Sequence, residues 1–299
     1  MINAVMFKAA LATLKNDGMG SLISAVRDRV FPPQMAYYDT ARDLFRDKIG
    51  LEIGGPTRLF KDGNLFPVYP DAGRIDNCNF SAQTLWEGSI VEGATFHYHD
   101  QHEPGVQYVA EATDLSMIAD ETYDFVLSSH VVEHTTNPIQ AMSEWKRVLK
   151  EQGTLVLIAP HMEGTFDRNR PVTTLEHMIS DFEQKMPETD TTHLPEILAL
   201  HDMSRDPGAG SRAAFEQRCA DNLTFRGMHH HVFDTALLME LVDHMGLQIT
   251  AVEAFRPMNI VVVARKPADD EPVSNEQFRG PGSTWSSPFE ADRRDTAAK

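Results

Sequence analysis

Three stretches hold residues whose types and spacing could do chemistry: Glu52-Ile-Gly54-Gly55, His130-Val-Val-Glu-His134 and Thr165-Phe-Asp-Arg-Asn-Arg170. Paired glycines let a backbone turn through positive φ and admit a ligand with no Cβ in its way. Glu52, just before them, can reach into the same space. Asp76 lies 24 residues after Glu52 and Asp114 follows a further candidate strand. In doubly wound sheets an acid about 20 residues past the glycine turn accepts ribose hydroxyls. Glu52, Gly54, Gly55, Asp76, Asp114 and Ser129, which ends an apolar run, are the candidate cofactor-binding residues. The loop is neither Gly-x-Gly-x-x-Gly nor a P-loop, so the dinucleotide and triphosphate fingerprints fail.

All thirteen histidines lie between His97 and His244. Histidine titrates near neutral pH and can take a proton from a hydroxyl. His161, at the end of a candidate strand, is the first choice of base, with His130 and His231 next. Arg168 and Arg170 could grip an anion bidentately and Asp167 could accept a hydroxyl proton. With His229 and His230 they form the candidate acceptor site. The competing reading makes these residues helix caps, space fillers and ordinary ion pairs. His193, Glu196 and the triple histidine could hold a metal, but no His-Glu-x-x-His or Cys/His spacing supports one, and none is expected.

The elements that must position these residues alternate. Ile49–Ile53 reads as a buried strand broken by the glycine turn, with Pro56 suited to the first turn of a helix. Strands are expected at 65–77 ending in Arg74–Asn77, at Val106–Ala112, at Asp124–Ser129 and at Thr154–Ala159. Helices are expected at 81–92 and from Asn137-Pro138 to Lys150. Leu247–Ala254 and Asn259–Ala264 read as an antiparallel hairpin. The reading is an α/β fold, a doubly wound and mostly parallel seven-stranded sheet with an antiparallel terminal hairpin and a helical insertion.

The domain spans 48–265, with a helical lid over 161–231 carrying candidate helices at Thr174–Lys185, Leu194–Leu200 and Ala213–Cys219. An N-terminal helical arm is expected over 1–47 from apolar spacing at Ala4, Phe7, Leu11 and Leu14 and again at Leu22–Val30. Residues 266–299, rich in Pro, Gly, Ser and charge, read as a flexible tail.

The net charge of −17 argues against nucleic acid and anionic lipid as partners. Two cysteines cannot make a disulfide framework, and no apolar run is long enough to span a membrane, so a reduced, cytoplasmic compartment is expected. Oligomeric state is not legible.

The alternating series closed by a hairpin resembles the class I S-adenosylmethionine (SAM) methyltransferases. Leu-Glu-Ile-Gly-Gly55 looks like their first motif, Asp76 resembles the ribose acid, and Ala112-Thr-Asp-Leu115 resembles the motif beside the adenine. Asp124–His134 and Arg147–Leu155 are similar to the fourth strand and the helix after it. The resemblance covers roughly 48–160 and 232–265. It implies a Rossmann-like methyltransferase fold, SAM as cofactor and transfer of a methyl group, with cell-surface glycan biosynthesis as a setting for the histidine-rich members. A small-molecule or sugar hydroxyl is the expected acceptor. One departure is the third glycine, whose place Pro56-Thr57 takes; it keeps a SAM-binding domain without chemistry among the alternatives. An NAD-linked oxidoreductase on a related fold is the other.

Overall fold

The described residues form ten strands: β1 (Ile49–Ile53), β2 (Arg74–Asn79), β3 (Gln83–Thr84), β4 (Gly88–Ser89), β5 (Gly93–Phe96), β6 (Gly105–Val109), β7 (Tyr123–Ser129), β8 (Leu149–Pro160), β9 (Gln248–Phe255) and β10 (Asn259–Arg265). The computed structural model describes residues 32–84, 87–279, 283 and 285–297, with Met19 and Arg27. The apolar spacing read at Ala4–Val30 therefore lies outside the described residues. Eight strands form one sheet in the order β5-β6-β2-β1-β7-β8-β10-β9. From β6 to β8 all neighbours are parallel. β10 is antiparallel to both β8 and β9. This is the expected doubly wound α/β sheet with its terminal hairpin, plus one strand.

The extra strand is β5, antiparallel to β6 at the sheet edge. The helix expected at 81–92 is absent from the described residues of that stretch, which form the β3–β4 hairpin. Gly88 at φ +69° and Gly93 at φ +103° set turns that a helix could not continue through. No α-helix follows the glycine turn after β1 either. Thr57 caps only a three-residue 3₁₀ turn, Arg58–Phe60. The prolines at 67 and 70 keep the loop out of helix, and its apolar side chains Phe60, Phe66 and Tyr69 pack instead on one face of the sheet. There they meet Phe45 and Phe125 and the short helix α1 (Tyr37–Ala41), with Tyr38 and Phe66 edge-to-face at 4.9 Å.

The other face is covered by α2 (Pro138–Val148), which Asn137 caps by accepting from the Gln140 N–H at 3.0 Å. Ile139, Met142, Trp145 and Val148 face the sheet at helical spacing. The Trp145 indole donates to the Ala112 carbonyl at 3.0 Å, so this helix pins the chain beyond β6. The insertion after β8 carries α3 (Leu175–Glu183), α4 (Leu194–Leu200), α5 (Arg212–Ala220) and α6 (Asn222–Phe225), with a small core of Ile197, Ala209, Phe215, Cys219 and Met228. Next, α7 (Thr235–His244) leads into β9.

The expectation of a loose tail is corrected for its described residues. Asn275 accepts from the Ile249 N–H at 2.8 Å and donates to the Leu247 carbonyl at 2.9 Å. Phe278 and Phe289 are buried, and the Trp285 indole donates to the Phe278 carbonyl. α8 (Glu290–Ala297) brings Asp292 to Thr235 Oγ1 at 2.8 Å. Three aromatic anchors outweigh a polar composition that by itself would stay unfolded. Among the described residues no helix is long and apolar enough to cross a membrane.

Candidate functional site

The carboxyl ends of β1, β2, β6 and β7 open into a cavity of about 380 Å³ lined by Gly54, Asn79, Glu111, Ser129, His130 and His134. This is where parallel α/β sheets place ligands, and its size falls in the roughly 300–1,000 Å³ range of small-molecule sites.

The glycine turn is held from below. Gly54 has φ +80°, and a Cβ there would stand 2.7 Å from Val131 Cγ2. A Cβ on Gly55 would lie 2.2 Å from the Glu52 carboxyl carbon. Both glycines are therefore required, one by conformation and one by crowding. Asn77 and Asn79, two apart on β2, share a face. Asn77 accepts from the Gly55 N–H at 3.0 Å and donates to its carbonyl at 3.1 Å, and Asn79 donates to the same carbonyl at 3.1 Å. The asparagines hold the turn as a peptide strand would.

Glu52 supports the loop rather than reaching the cavity. It is 1% exposed, accepts from the Tyr69 hydroxyl at 2.7 Å and from the Thr57 N–H at 3.1 Å. Burial pushes its pKa up to about 8, against the lowering effect of those two hydrogen bonds. Asp76 is corrected as well. β2 runs on to Asn79, so Asp76 is buried in mid-strand, accepting from the Val106 N–H at 2.8 Å and the Tyr123 hydroxyl at 3.0 Å. Asn79 occupies the strand end. Asp114 does not line the cavity either; it accepts from the Ser116 N–H at 3.0 Å in its own loop. Glu111, two residues past the end of β6, does line it, as do Glu87 and Glu188. Of the expected cofactor residues, Gly54 and Ser129 line the cavity and Gly55 shapes its turn.

His130 lines the cavity but both its ring nitrogens are engaged, Nε2 with Asn259 Oδ1 at 2.9 Å and Nδ1 near Glu133 Oε1 at 3.5 Å. Burial draws its pKa down, but the neighbouring Glu133 and Asn259 more than offset this and leave it raised. His134 donates from Nδ1 to the Met228 carbonyl at 2.9 Å, which leaves Nε2 as the lone-pair nitrogen. Burial, and then the charge of His229, push its pKa down to about 4, so it is neutral at pH 7.

His161 is fully buried away from the cavity, paired with Asp292 at 3.2 Å and stacked on Phe289 at 3.9 Å. His231 is equally buried, bonded to Asp181 and to the Thr135 carbonyl. Neither is in a position to touch a ligand there. The two ends of the insertion do meet, as a buried network beside the cavity. Arg170 bonds Asp167 at 2.8 Å, Glu196 at 2.8 Å and the carbonyls of His229 and His230. His229 Nδ1 is 2.5 Å from Asp167, and its ring stands 4.7 Å from that of His134. Arg168 points out to solvent. Two insertion residues, Glu188 and Arg226, line the cavity, and Arg226 is ion-paired both to Glu188 and to Glu111 across from it.

The cavity fits the cofactor the resemblance implies. Asn79 Oδ1 and Ser129 Oγ are buried with no hydrogen-bond partner among the described residues, which suits a ligand carrying hydroxyl and amino groups. Ile53, Phe80, Ala110 and Val131 supply apolar wall for a flat base.

Residues 82–157 match the methyltransferase domain family. That stretch contains β6, β7, α2 and most of β8, and so two of the four strand ends around the cavity. Solved structures similar to this chain include a SAM-dependent methyltransferase from Mesorhizobium loti (13% identity, 77% of this chain and 98% of that one, TM-score 0.43). Another is a SAM-dependent methyltransferase from Aquifex aeolicus (12% identity, 80% of this chain and 92% of that one, TM-score 0.40). At such distances it is the strand order and the cavity, not these likenesses, that carry the reading. No curated protein sequence matches the chain.

Proposed function

We infer that this chain is a SAM-dependent methyltransferase, and we propose that it methylates a hydroxyl of a small molecule or glycan. The observation that carries the reading is the cavity at the strand ends, with its paired-glycine turn and the two unpartnered polar atoms of Asn79 and Ser129. When bound, SAM supplies a methyl group already made electrophilic by its sulfonium. Asn79, Ser129 and the Gly54 turn would hold it, with Glu111 beside its base. The protein's remaining work is to align the acceptor, keep water out and take a proton.

His134 is the base this geometry favours, because its Nδ1–H is committed to a carbonyl and its Nε2 lone pair is not. A proton taken there would sit 3.8 Å from the buried Glu133 carboxylate, which would stabilise the imidazolium. His130, already held by Asn259 and Glu133, acts as a positioning residue in the cavity wall. Arg226 closes the insertion over the ligand. The acidic surface supports a partner other than nucleic acid, and the free, buried Cys78 and Cys219 support a cytoplasmic location.

The test is transfer of labelled methyl from SAM to candidate acceptors, followed as S-adenosylhomocysteine release. Turnover on a hydroxyl acceptor is the expected result. Binding of SAM without turnover on any cell-extract component favours a SAM-binding domain without chemistry, and binding of NAD alone favours the oxidoreductase.

A further inference from the structure

Four side chains of the insertion converge away from the cavity: His177 and Asp181 from α3, His193 from the turn before α4, and His231 from the segment before α7. We propose that they form a tetrahedral His₃Asp site for a zinc-class divalent transition metal, which fastens the insertion to the wall of the cavity.

The distances carry the argument. His177 Nε2 lies 3.2 Å from His193 Nε2 and 3.4 Å from Asp181 Oδ2, and His231 Nε2 lies 3.0 Å from Asp181 Oδ2. All four ligand atoms fall within 4.8 Å of one another. A tetrahedral ion with bonds of about 2.0–2.1 Å needs ligand atoms roughly 3.3 Å apart. The protonation pattern agrees. His231 Nδ1 is committed to the Thr135 carbonyl at 3.1 Å, so its Nε2, 3.0 Å from Asp181 Oδ2, is the nitrogen that would exchange its proton for the ion. Zinc-binding histidines are oriented in this way by a backbone carbonyl behind them. Two Nε2 atoms 3.2 Å apart cannot both carry a proton, and one shared cation satisfies both.

A neighbouring trio, Asp190, His193 and His230, competes for His193 but is less able to bind. Asp190 accepts from the Thr192 N–H and hydroxyl, and His230 Nε2 accepts from Asn222. The quartet also has an entry path. Asp181 and His231 are buried, while the His177 side chain is 43% exposed. With four protein ligands the coordination is closed, which marks the role as structural. The ion would join three separate parts of the insertion and, through His231, reach Thr135 in the cavity wall. The sequence spacing shows only the i,i+4 pair His177 and Asp181; the other two ligands come from the fold, and Glu196 is taken by Arg170.

Untagged full-length protein should be stripped with a chelator and titrated with Co²⁺, reading the visible absorption of tetrahedral Co²⁺, with metal content measured on the protein as purified. One equivalent with a tetrahedral spectrum is expected, displaced by Zn²⁺. The substitutions His177→Ala, at the exposed rim, and Asp181→Asn should weaken Co²⁺ binding more than the roughly 10–100-fold typical of losing an outer partner. Asp190→Asn should leave it within about twofold. Chelation should lower the melting temperature of the wild type but not of His177→Ala. Folded wild-type protein that takes up no Co²⁺ or Zn²⁺, or a His177→Ala protein that binds as tightly as the wild type, overturns the site. Because absorption and metal content are read without substrate, failure here leaves the methyl-transfer reading intact.

Discussion

Arg226 of the insertion and Glu111 at the end of β6 form an ion pair at the edge of the cavity, and Arg226 also grips Glu188. The arginine sits at φ +46°, a left-handed conformation, with its guanidinium 5.2 Å from the Phe80 ring. One side chain therefore ties the insertion to the sheet. Replacing it by Met strands two carboxylates, of which Glu111 is partly exposed. The cost expected is about 1–3 kcal/mol, below that of a fully buried pair. A lower melting temperature and faster hydrogen exchange over 222–231 are predicted, and unchanged values for both contradict the clasp.

Asn79 and Asp76 separate the corrected site from the expected one. Asn79→Ala should weaken SAM binding by about 1–2 kcal/mol, roughly 5–30-fold, through a lost hydrogen bond and a loosened Gly55 carbonyl. Asp76→Ala should lower stability, since it frees the Val106 N–H and the Tyr123 hydroxyl, with little effect on affinity in the protein that folds. Calorimetry of SAM with both variants decides; the reverse pattern restores Asp76 to the site.

Glu52 gives a pH prediction. Its folded pKa of about 8 lies above the ordinary carboxyl value of 4.5, so the folded state binds the extra proton. The stabilising contribution is full below about pH 4.5 and is lost as pH rises toward 8 and the buried carboxylate ionises. Glu52→Gln should remove this part of the pH dependence. The melting-temperature difference, variant minus wild type, should grow between pH 5 and 8, at about 2–4 °C for each kcal/mol. A difference that is flat across that range refutes the assignment.

The histidines divide by what they touch. His134→Ala should lower turnover by about 10²–10⁴-fold with SAM affinity nearly unchanged. His161→Ala should lower the melting temperature, because it empties the stack on Phe289 and removes one partner of Asp292, leaving it Thr235, and leave turnover per folded molecule near the wild type. In the wild type the acid limb of the rate profile should approach pH 4, well below an ordinary histidine. An acid limb at or above the ordinary value of about 6.5 transfers the role to His130, whose pKa is raised.

The sheet was legible because buried strands such as Ile49–Ile53 and Tyr123–Ser129 are short, largely apolar segments bounded by turn residues. The site was legible only in part, and the failures were of register and depth. Asp76 reads as close to a strand end because the polar Asn77 and Asn79 hide that β2 runs two residues further, through Cys78 to Asn79. That Asn-x-Asn spacing was itself the overlooked signal, since two asparagines on one strand face can hold a glycine turn. The expectation at Asp114 fails for a similar reason, as β6 stops three residues before Ala112, where the apolar pattern ends, and brings Glu111 to the cavity. His161 follows β8 and His231 closes the insertion, as expected, but which way each side chain turns depends on packing by Phe289 and Asp181, distant in sequence. The anchoring of the tail by Phe278, Trp285 and Phe289 likewise depends on contacts that composition does not report.

The most direct test of the account is calorimetric titration of the wild-type protein with SAM, S-adenosylhomocysteine and NAD. The account predicts saturable one-to-one binding of both sulfur compounds, weakened in Asn79→Ala, and none of NAD. Folded protein that binds neither SAM nor S-adenosylhomocysteine, or binds them equally well in Asn79→Ala, contradicts it.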